Sequence, residues 1–350
     1  MWKRFAMRRK GGAMTRPTIK DVAAQAKVAI STASRALSGN GYVSPTTREA
    51  VEAAARDLDY TPNAHAQSLR SARYGTFALL IPDIRNPYFA ELAHQVEIAA
   101  RAQGRTVLLG SAAESPELML EYMEVLRRQR VDGIITAPFD SAIDALTALH
   151  EARFPLVFLD RRVETLPVPS ATSDTSGAIR DALAHLHHQG VRRLGLLAGP
   201  RETSTGRERL AQALEHARAL GLEPVVRHGS FVETSGHDNM LSLLEHGVEG
   251  VLAADSLMSV GAVRALHERG IRPGEDLPLV GFDAVQSLVL IHLEIPLIIQ
   301  DIPGLAHAAV KQLSQELNRF GSAQDVHLPA TLDLRGAGAA PTPGADHEQR

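Results

Sequence analysis

The chain has 350 residues and no cysteine. That removes disulfides, thiol nucleophiles and thiolate metal sites at once. No run of 18 or more residues is continuously apolar, so the sequence predicts no membrane-spanning helix. The basic cluster Arg8-Arg9-Lys10 is not followed by an apolar stretch, which argues against a secretory signal. A soluble, cytoplasmic protein is the expectation. Familiar catalytic signatures are missing as well. There is no Gly-x-Ser-x-Gly elbow, no Gly-x-x-x-x-Gly-Lys phosphate loop, and no Gly-x-Gly-x-x-Gly after a strand. His185, His187 and His188 fall on one predicted helix, point in different directions and lack a carboxylate at ligand spacing. The sequence therefore predicts no metal, no cofactor and no enzyme.

What is present is uneven. Residues 1–74 hold 13 Lys/Arg against 5 Asp/Glu, whereas the remainder holds 24 against 35. A basic module joined to an acidic body points to a polyanion partner for the first part only. The plainer reading of such a charge run is a solvated face. Residues 1–13 show no helical period. Either Met14 is the true start and those residues are mis-called, or they form a disordered basic arm.

The stretch 19–38 reads as two short helices at an angle. Val22, Ala23 and Ala26 give the first an apolar face, and residues 26–29 make the turn. The second, over 30–37, turns Ala33, Ala36 and Leu37 inward and leaves Ile30, Ser31, Thr32, Ser34 and Arg35 outward. Such a pair can lay its second helix in the DNA major groove, although any small helical hairpin shares the pattern. Ser44-Pro45 then supplies an N-cap and an N1 proline for a third helix reaching about residue 59. Val51, Ala54, Ala55 and Leu58 form its inner stripe. Asn63 can cap a seven-residue helix over 64–70, too short to stand alone in water.

From residue 76 the pattern changes to short apolar runs alternating with helical periods. Strands are predicted at 77–81, 106–109, 133–136 and 156–159, with helices over 87–103, 116–128, 141–151 and 176–189 between and after them. A second set follows: strands at 194–198, 224–227, 251–253 and 279–281, and helices over 205–220, 235–245 and 257–269. This alternation means parallel sheets covered on both faces. The tail from Gly336 is rich in Gly, Ala and Pro and is expected to be disordered. It lacks the leucine heptads of a coiled coil. Ligands of parallel α/β sheets bind beyond the carboxyl ends of strands. That singles out Asp83, Asp160, Asp255 and Asp283 after strands, with Phe89 and Arg209 on the helices that follow. Carboxylates accept from hydroxyls, Arg donates several bonds, and an aromatic ring stacks on a sugar face or a base. For each aspartate the alternative is a helix cap.

The run Thr18-Ile-Lys-Asp-Val-Ala, then Ser34-Arg35, Val43-Ser44, Thr47-Arg48 and Tyr60-Thr-Pro-Asn63, resembles the headpiece of LacI/GalR-type transcriptional regulators. The spacing matches without gaps from Thr18 to Leu69, and the resemblance extends to about residue 335. It implies a small all-α helix-turn-helix headpiece on an α/β core of two parallel-sheet subdomains like a periplasmic binding protein. The divisions expected are a basic arm over 1–17, the headpiece over 18–61, a hinge helix and linker over 62–75, the effector-binding and dimerisation core over 76–335, and the tail over 336–350.

The resemblance also implies roles. Ile30 and Ser31 would read bases, with Ile30 against thymine methyls. Arg35 would reach a guanine or a phosphate, and Thr32, Ser34 and amides near Thr18 would anchor phosphates. Asn63 would start the hinge helix, and Leu69 would wedge between central base pairs in the minor groove. Tyr88 and Phe89, Asp160, Arg209, Phe231, Asp255 and Asp283 would line an effector cleft together with Asp83. The function implied is a homodimeric repressor on near-palindromic double-stranded operator DNA, set by a sugar or nucleoside effector, with no membrane partner. Four departures stand out: Lys27 where the turn usually has glycine, Ala29 in place of a Ser/Thr cap, Ala284 after Asp283, and 295–300 in place of a threonine-containing crossover. The first two keep open a second reading, a small-molecule-binding protein whose headpiece binds DNA only non-specifically, with the steep salt dependence that implies. The third leaves the effector class open, and the fourth leaves open the pairing of the last strand.

Overall fold

The computed structural model describes residues 17–38, 41–60, 74–283 and 295–334. The expectations for the first 13 residues, Asn63, Leu69, the hinge helix, Ala284 and the tail lie outside the described residues. The chain divides into two compact units between Tyr74 and Gly75.

In the first unit, α1 (Ile19–Gln25), α2 (Ile30–Ser38) and α3 (Pro45–Asp57) enclose a small apolar centre. Val22, Ala23, Ala33, Ala36, Val51, Ala54 and Ala55 are buried there, with Leu37 and Leu58 at its margin. Most of these side chains are alanine or valine, which lets the helices approach closely but removes little apolar area from water. Ser44, immediately before the Pro45 start, caps α3 by accepting from the Thr47 amide at 3.3 Å.

The second unit carries two six-stranded sheets. The first contains β1 (Thr76–Ile81), β2 (Thr106–Ser111), β3 (Gly133–Thr136), β4 (Leu156–Leu159), β5 (Ser170–Asp174) and β11 (Val326–Pro329), in the order β11-β5-β4-β3-β1-β2. All its pairings are parallel. The second contains β6 (Arg193–Ala198), β7 (Glu223–His228), β8 (Gly250–Ala253), β9 (Leu279–Phe282), β10 (Leu297–Ile299) and β12 (Thr331–Asp333), in the order β12-β10-β9-β8-β6-β7. It is parallel except for β10 against β12. The central strands are buried along their length, as a sheet covered on both faces requires. Helices α4 (Pro87–Ala102), α5 (Pro116–Arg128) and α6 (Ile143–Glu151) cover the first sheet. Helices α7 (Ser176–His188), α8 (Ser204–Ala219), α9 (Glu233–Glu245) and α10 (Ser256–Glu268) cover the second.

Several features differ from the sequence reading, strand β5 among them, where no strand was expected. Helix α7 was expected to close the first set of elements. Instead Ile179, Ala182, Leu183 and Leu186 pack with Leu194 and Leu196 of the second sheet. A helix not anticipated, α11 (Ile302–Asn318), returns to the first sheet and buries Leu305, Ala306, Ala309, Val310 and Leu313 against β1, β3 and β4. The chain then places β11 in one sheet and β12 in the other. The path therefore crosses between the halves three times, near residues 175, 301 and 330. Residues 297–299, whose pairing the sequence left open, add to β9 in parallel and to β12 in antiparallel register.

Candidate functional site

Two places gather the residues singled out from sequence, one in each unit. In the first unit, the turn from α1 to α2 puts Lys27 at φ 52, the left-handed region where glycine is at home. A lysine there costs about 1 kcal/mol. Ala29 leads into α2 with only its carbonyl engaged, accepting from Thr32 at 2.9 Å and Ala33 at 3.0 Å. Its methyl offers no acceptor to the amides at the start of α2. Ile30 is 44% exposed although apolar, Ser31 and Arg35 are exposed, and Thr32 and Ser34 are half-buried. The Arg35 Nε donates to the Ser31 carbonyl at 3.3 Å, so the guanidinium lies back along its own helix. Amides near Thr18 were expected to anchor phosphates; Thr18 itself is engaged with the first turn of α1. Its amide and its hydroxyl both donate to the Asp21 carboxylate at 2.7 Å. Those bonds hold Asp21 below the usual carboxylate range.

In the second unit, the strand ends of both sheets converge on one buried polar network. From the first half, Asp160 follows β4 at φ 66 and accepts from the Tyr88 hydroxyl at 2.9 Å. From the second half, Arg209 of α8 lies 4.0 Å from the same Asp160 oxygen. The Arg209 guanidinium also donates to the Ala254 carbonyl at 2.7 Å and to Gln300 at 3.3 Å, and stacks 4.4 Å from the Phe282 ring centre. Gln300 in turn donates to Asp283 at 2.9 Å. Asp283 leaves β9 at φ 51, a turn that aspartate tolerates better than most residues. Asp255 caps α10 by accepting from Leu257 at 2.8 Å and Met258 at 3.2 Å. The cap reading thus holds for Asp255, yet its second oxygen accepts from Asn86 of the other half at 3.4 Å. Ser256 completes that bridge by donating to the Asn86 side-chain oxygen at 3.0 Å.

Burial sets the electrostatics. Asp283 is pushed up to about 7, chiefly by desolvation, with Arg209 and Gln300 opposing. Asp255 is also raised by burial, against the pull of the α10 amides. The Tyr88 hydroxyl is driven well above its ordinary value by burial and by the Asp160 charge. These shifted groups gather at strand ends, the edge at which parallel α/β sheets hold ligands.

Asp83 is the exception among the cleft candidates. It is buried, but its carboxylate is held by the exposed Arg85, including an Nη2 contact of 2.6 Å, and is lowered accordingly. It shapes the loop leading to Asn86 and does not join the network. Phe89 and Phe231 are both buried, one from each half. Both rings flank Arg161, a residue the sequence reading passed over, as it did Glu114, Phe139, Ser256 and Gln300. Adjacency to Asp160 could have pointed to Arg161. Nothing local could have pointed to Glu114. Around the rim, Arg162 pairs with Glu208 at 2.8 Å, its amide donates to Ser204 at 3.0 Å, and Arg207 pairs with Asp140. An open pocket of about 320 Å³ lined by Arg162, Glu164, Ser170 and Asp325 lies beside this rim, away from the network. Among the described residues no group of His, Asp and Glu is arranged to hold a metal ion, and no helix is long and apolar enough to cross a membrane.

Comparison with known proteins gives matches along most of the chain. Residues 75–326 match the family described as periplasmic binding proteins and sugar binding domain of LacI family. Residues 18–63 match the family described as bacterial regulatory proteins, lacI family. The ribose operon repressor of Halalkalibacterium halodurans is 34% identical over 77% of this chain and 80% of its own length. The HTH-type transcriptional repressor PurR of Klebsiella pneumoniae is 31% identical over 93% and 98%. Among solved structures, the lac repressor dimer bound to operator and the anti-inducer ONPF superposes with a TM-score of 0.82 at 27% identity, covering 93% of this chain and all of that one.

Proposed function

The chain belongs to the LacI family of bacterial regulatory proteins, and from that premise we propose that it is a homodimeric transcriptional repressor whose operator affinity is set by a small neutral polyol, a monosaccharide, held between the halves of the core. The observation that carries the effector class is the network of Asp160, Asp255 and Asp283 around the single guanidinium of Arg209. Carboxylates only accept, so they suit a ligand rich in hydroxyl donors. Asn86, Gln300 and Tyr88 supply the remaining polar contacts, and the faces of Phe89 and Phe231 cover the apolar side of a sugar ring. The ribose operon repressor named above is consistent with a sugar of this size.

The DNA reading rests on α2. Ile30 meets thymine methyls, Ser31 meets either edge type, Arg35 extends to a guanine or a phosphate, and the half-buried Thr32 and Ser34 sit against the backbone. Thr18 acts by ordering the start of α1 through Asp21. Asn63 and Leu69 keep their hinge roles in this reading. A two-fold operator calls for a two-fold protein. The edge strand β2 exposes Leu108 and Leu109, and neighbouring α5 exposes Leu118, Tyr122 and Val125. A second copy of the chain covers this face. Acting on chromosomal DNA, the protein works in the cytoplasm.

The test is selection of the purified full chain on a randomised double-stranded DNA pool, with and without a panel of monosaccharides and nucleosides. Enrichment of one inverted repeat whose retention responds to a monosaccharide supports the reading. Retention without any enriched motif, steeply weakened by salt, favours a headpiece that binds DNA only non-specifically.

A further inference from the structure

Glu114 lies on none of the strand ends that build the network, yet its carboxylate reaches the cleft. The loop after β2 places two successive residues in the left-handed region, Ala113 at φ 49 and Glu114 at φ 56. Such a backbone conformation is strained for a residue with a side chain and persists only where the surroundings over-determine it. The turn is closed by the Glu114 amide on the Pro82 carbonyl and the Ser115 amide on the Ala112 carbonyl, both at 2.8 Å. It delivers Glu114 to Arg161. Nη2 donates to one carboxylate oxygen at 2.9 Å, and Nη1 and Nη2 approach the other at 3.2 Å.

Arg161 is 1% exposed and enclosed by rings: its Cζ is 5.0 Å from the Phe139 centre, 5.4 Å from Phe231 and 5.7 Å from Phe89. Its Nε has no hydrogen-bond partner among the described residues. Phe231 comes from the second half and the other rings from the first, so the guanidinium stands where the halves meet. Without Glu114, the two guanidiniums would face Asp160, Asp255 and an Asp283 only partly ionised near neutrality. With it, one guanidinium is cancelled and the cleft is left acidic. Burial raises the Glu114 carboxyl above its ordinary value, Arg161 pulls it back down, and the charges of Asp255 and Asp160 push it up, which places it in the same electrostatic neighbourhood.

We propose that Glu114 is a specificity-determining residue of the effector site: by cancelling the charge of Arg161 it makes the cleft reject phosphorylated and carboxylated ligands and accept neutral ones. This rests on the reading that the effector binds between the core halves. Arg161 then presents its unpaired Nε and its ring-lined plane, without a free positive charge. A counter-ion that merely keeps Arg161 folded would instead predict that replacing Glu114 weakens all ligands alike.

The experiment compares the full chain with Glu114→Gln and with the double variant Glu114→Gln, Arg161→Gln. Calorimetric titration uses three matched pairs of probes: D-ribose and D-ribose 5-phosphate, D-glucose and D-glucose 6-phosphate, adenosine and adenosine 5′-phosphate. The expected result is that Glu114→Gln gains at least about tenfold in affinity for a phosphate ester over the unaltered chain, a gain that shrinks with added salt. The double variant loses that gain, because the pair is neutral again. No gain for any ester, or a gain that survives in the double variant, overturns the proposal. Should Glu114→Gln fail to fold, Glu114→Asp keeps the charge on a shorter stem and is expected to keep rejecting esters; acceptance of them overturns the proposal. Failure of the unaltered chain to bind any neutral probe counts against the effector class, whereas the ester gain still reports on Glu114 alone.

Discussion

The headpiece and the core solve opposite problems. The headpiece hides alanine and valine and keeps its chemistry outside: Ile30, Ser31 and Arg35 are exposed on a helix held by Ala33 and Ala36. The core hides its chemistry: Asp160, Arg209, Asp255, Asp283 and Gln300 are all buried at strand ends. DNA is large and brings its charge to a surface, so the headpiece needs only a rigid ridge. A small effector must be surrounded, so the core removes charged groups from water and satisfies them with one another. The shared lesson is that stability is thin in one unit for lack of apolar area and conditional in the other because of buried charge.

The sharpest way to break this contrast is Arg209→Ala. It strips the one guanidinium from three buried carboxylates and leaves a gap beside Phe282. Effector binding should be lost, and the core should lose about 2–4 kcal/mol in urea denaturation. The headpiece transition should be unmoved. An unchanged effector titration would remove Arg209 from the site.

A smaller effect separates the units by pH. Asp283 has its folded value raised to about 7 from an ordinary 3.8. A raised carboxyl is protonated in the fold and favours it at low pH, and that contribution is lost as pH rises from about 4 through 7. The core melting temperature is therefore expected to fall by several degrees over that range through this group, and Asp283→Asn to flatten that part of the profile. A wild-type profile identical to that of Asp283→Asn would contradict the assignment.

The smallest effect belongs to the headpiece. Lys27→Gly relieves the left-handed turn, and the headpiece should gain about 1 kcal/mol in thermal unfolding while the core stays as it was. A loss of stability would mean that Lys27 makes a contact that outweighs its backbone strain.

These contrasts also explain what the sequence could reveal. Helix α2 was legible because its apolar period, its neighbours and its turn lie within twenty residues. The central strands were legible because they are short apolar runs buried on both faces. Helix α11 escaped notice even though its apolar face is regular, and the side of the core to which it belongs is decided only by the crossing near residue 301. The assignment of α7 failed for the same reason: its stripe of Ile179, Leu183 and Leu186 fits either sheet, and tertiary packing alone chooses. Asp160, Arg209, Asp255 and Asp283 stood out because polar residues at strand ends have a reason to be there. Glu114 and Gln300 did not, since a loop glutamate and a glutamine after a three-residue strand look ordinary until the fold brings them to Arg161 and Asp283.

The central claim is that occupancy of the buried network changes how the exposed ridge binds DNA. The direct measurement is the dissociation constant of the full chain for its selected operator at about 0.15 M salt, with and without saturating effector. A change of about 5- to 150-fold in either direction is expected, the ordinary range for two coupled sites. Equal affinities with the effector demonstrably bound would contradict the account, because the core would then bind its ligand without reporting it to the headpiece.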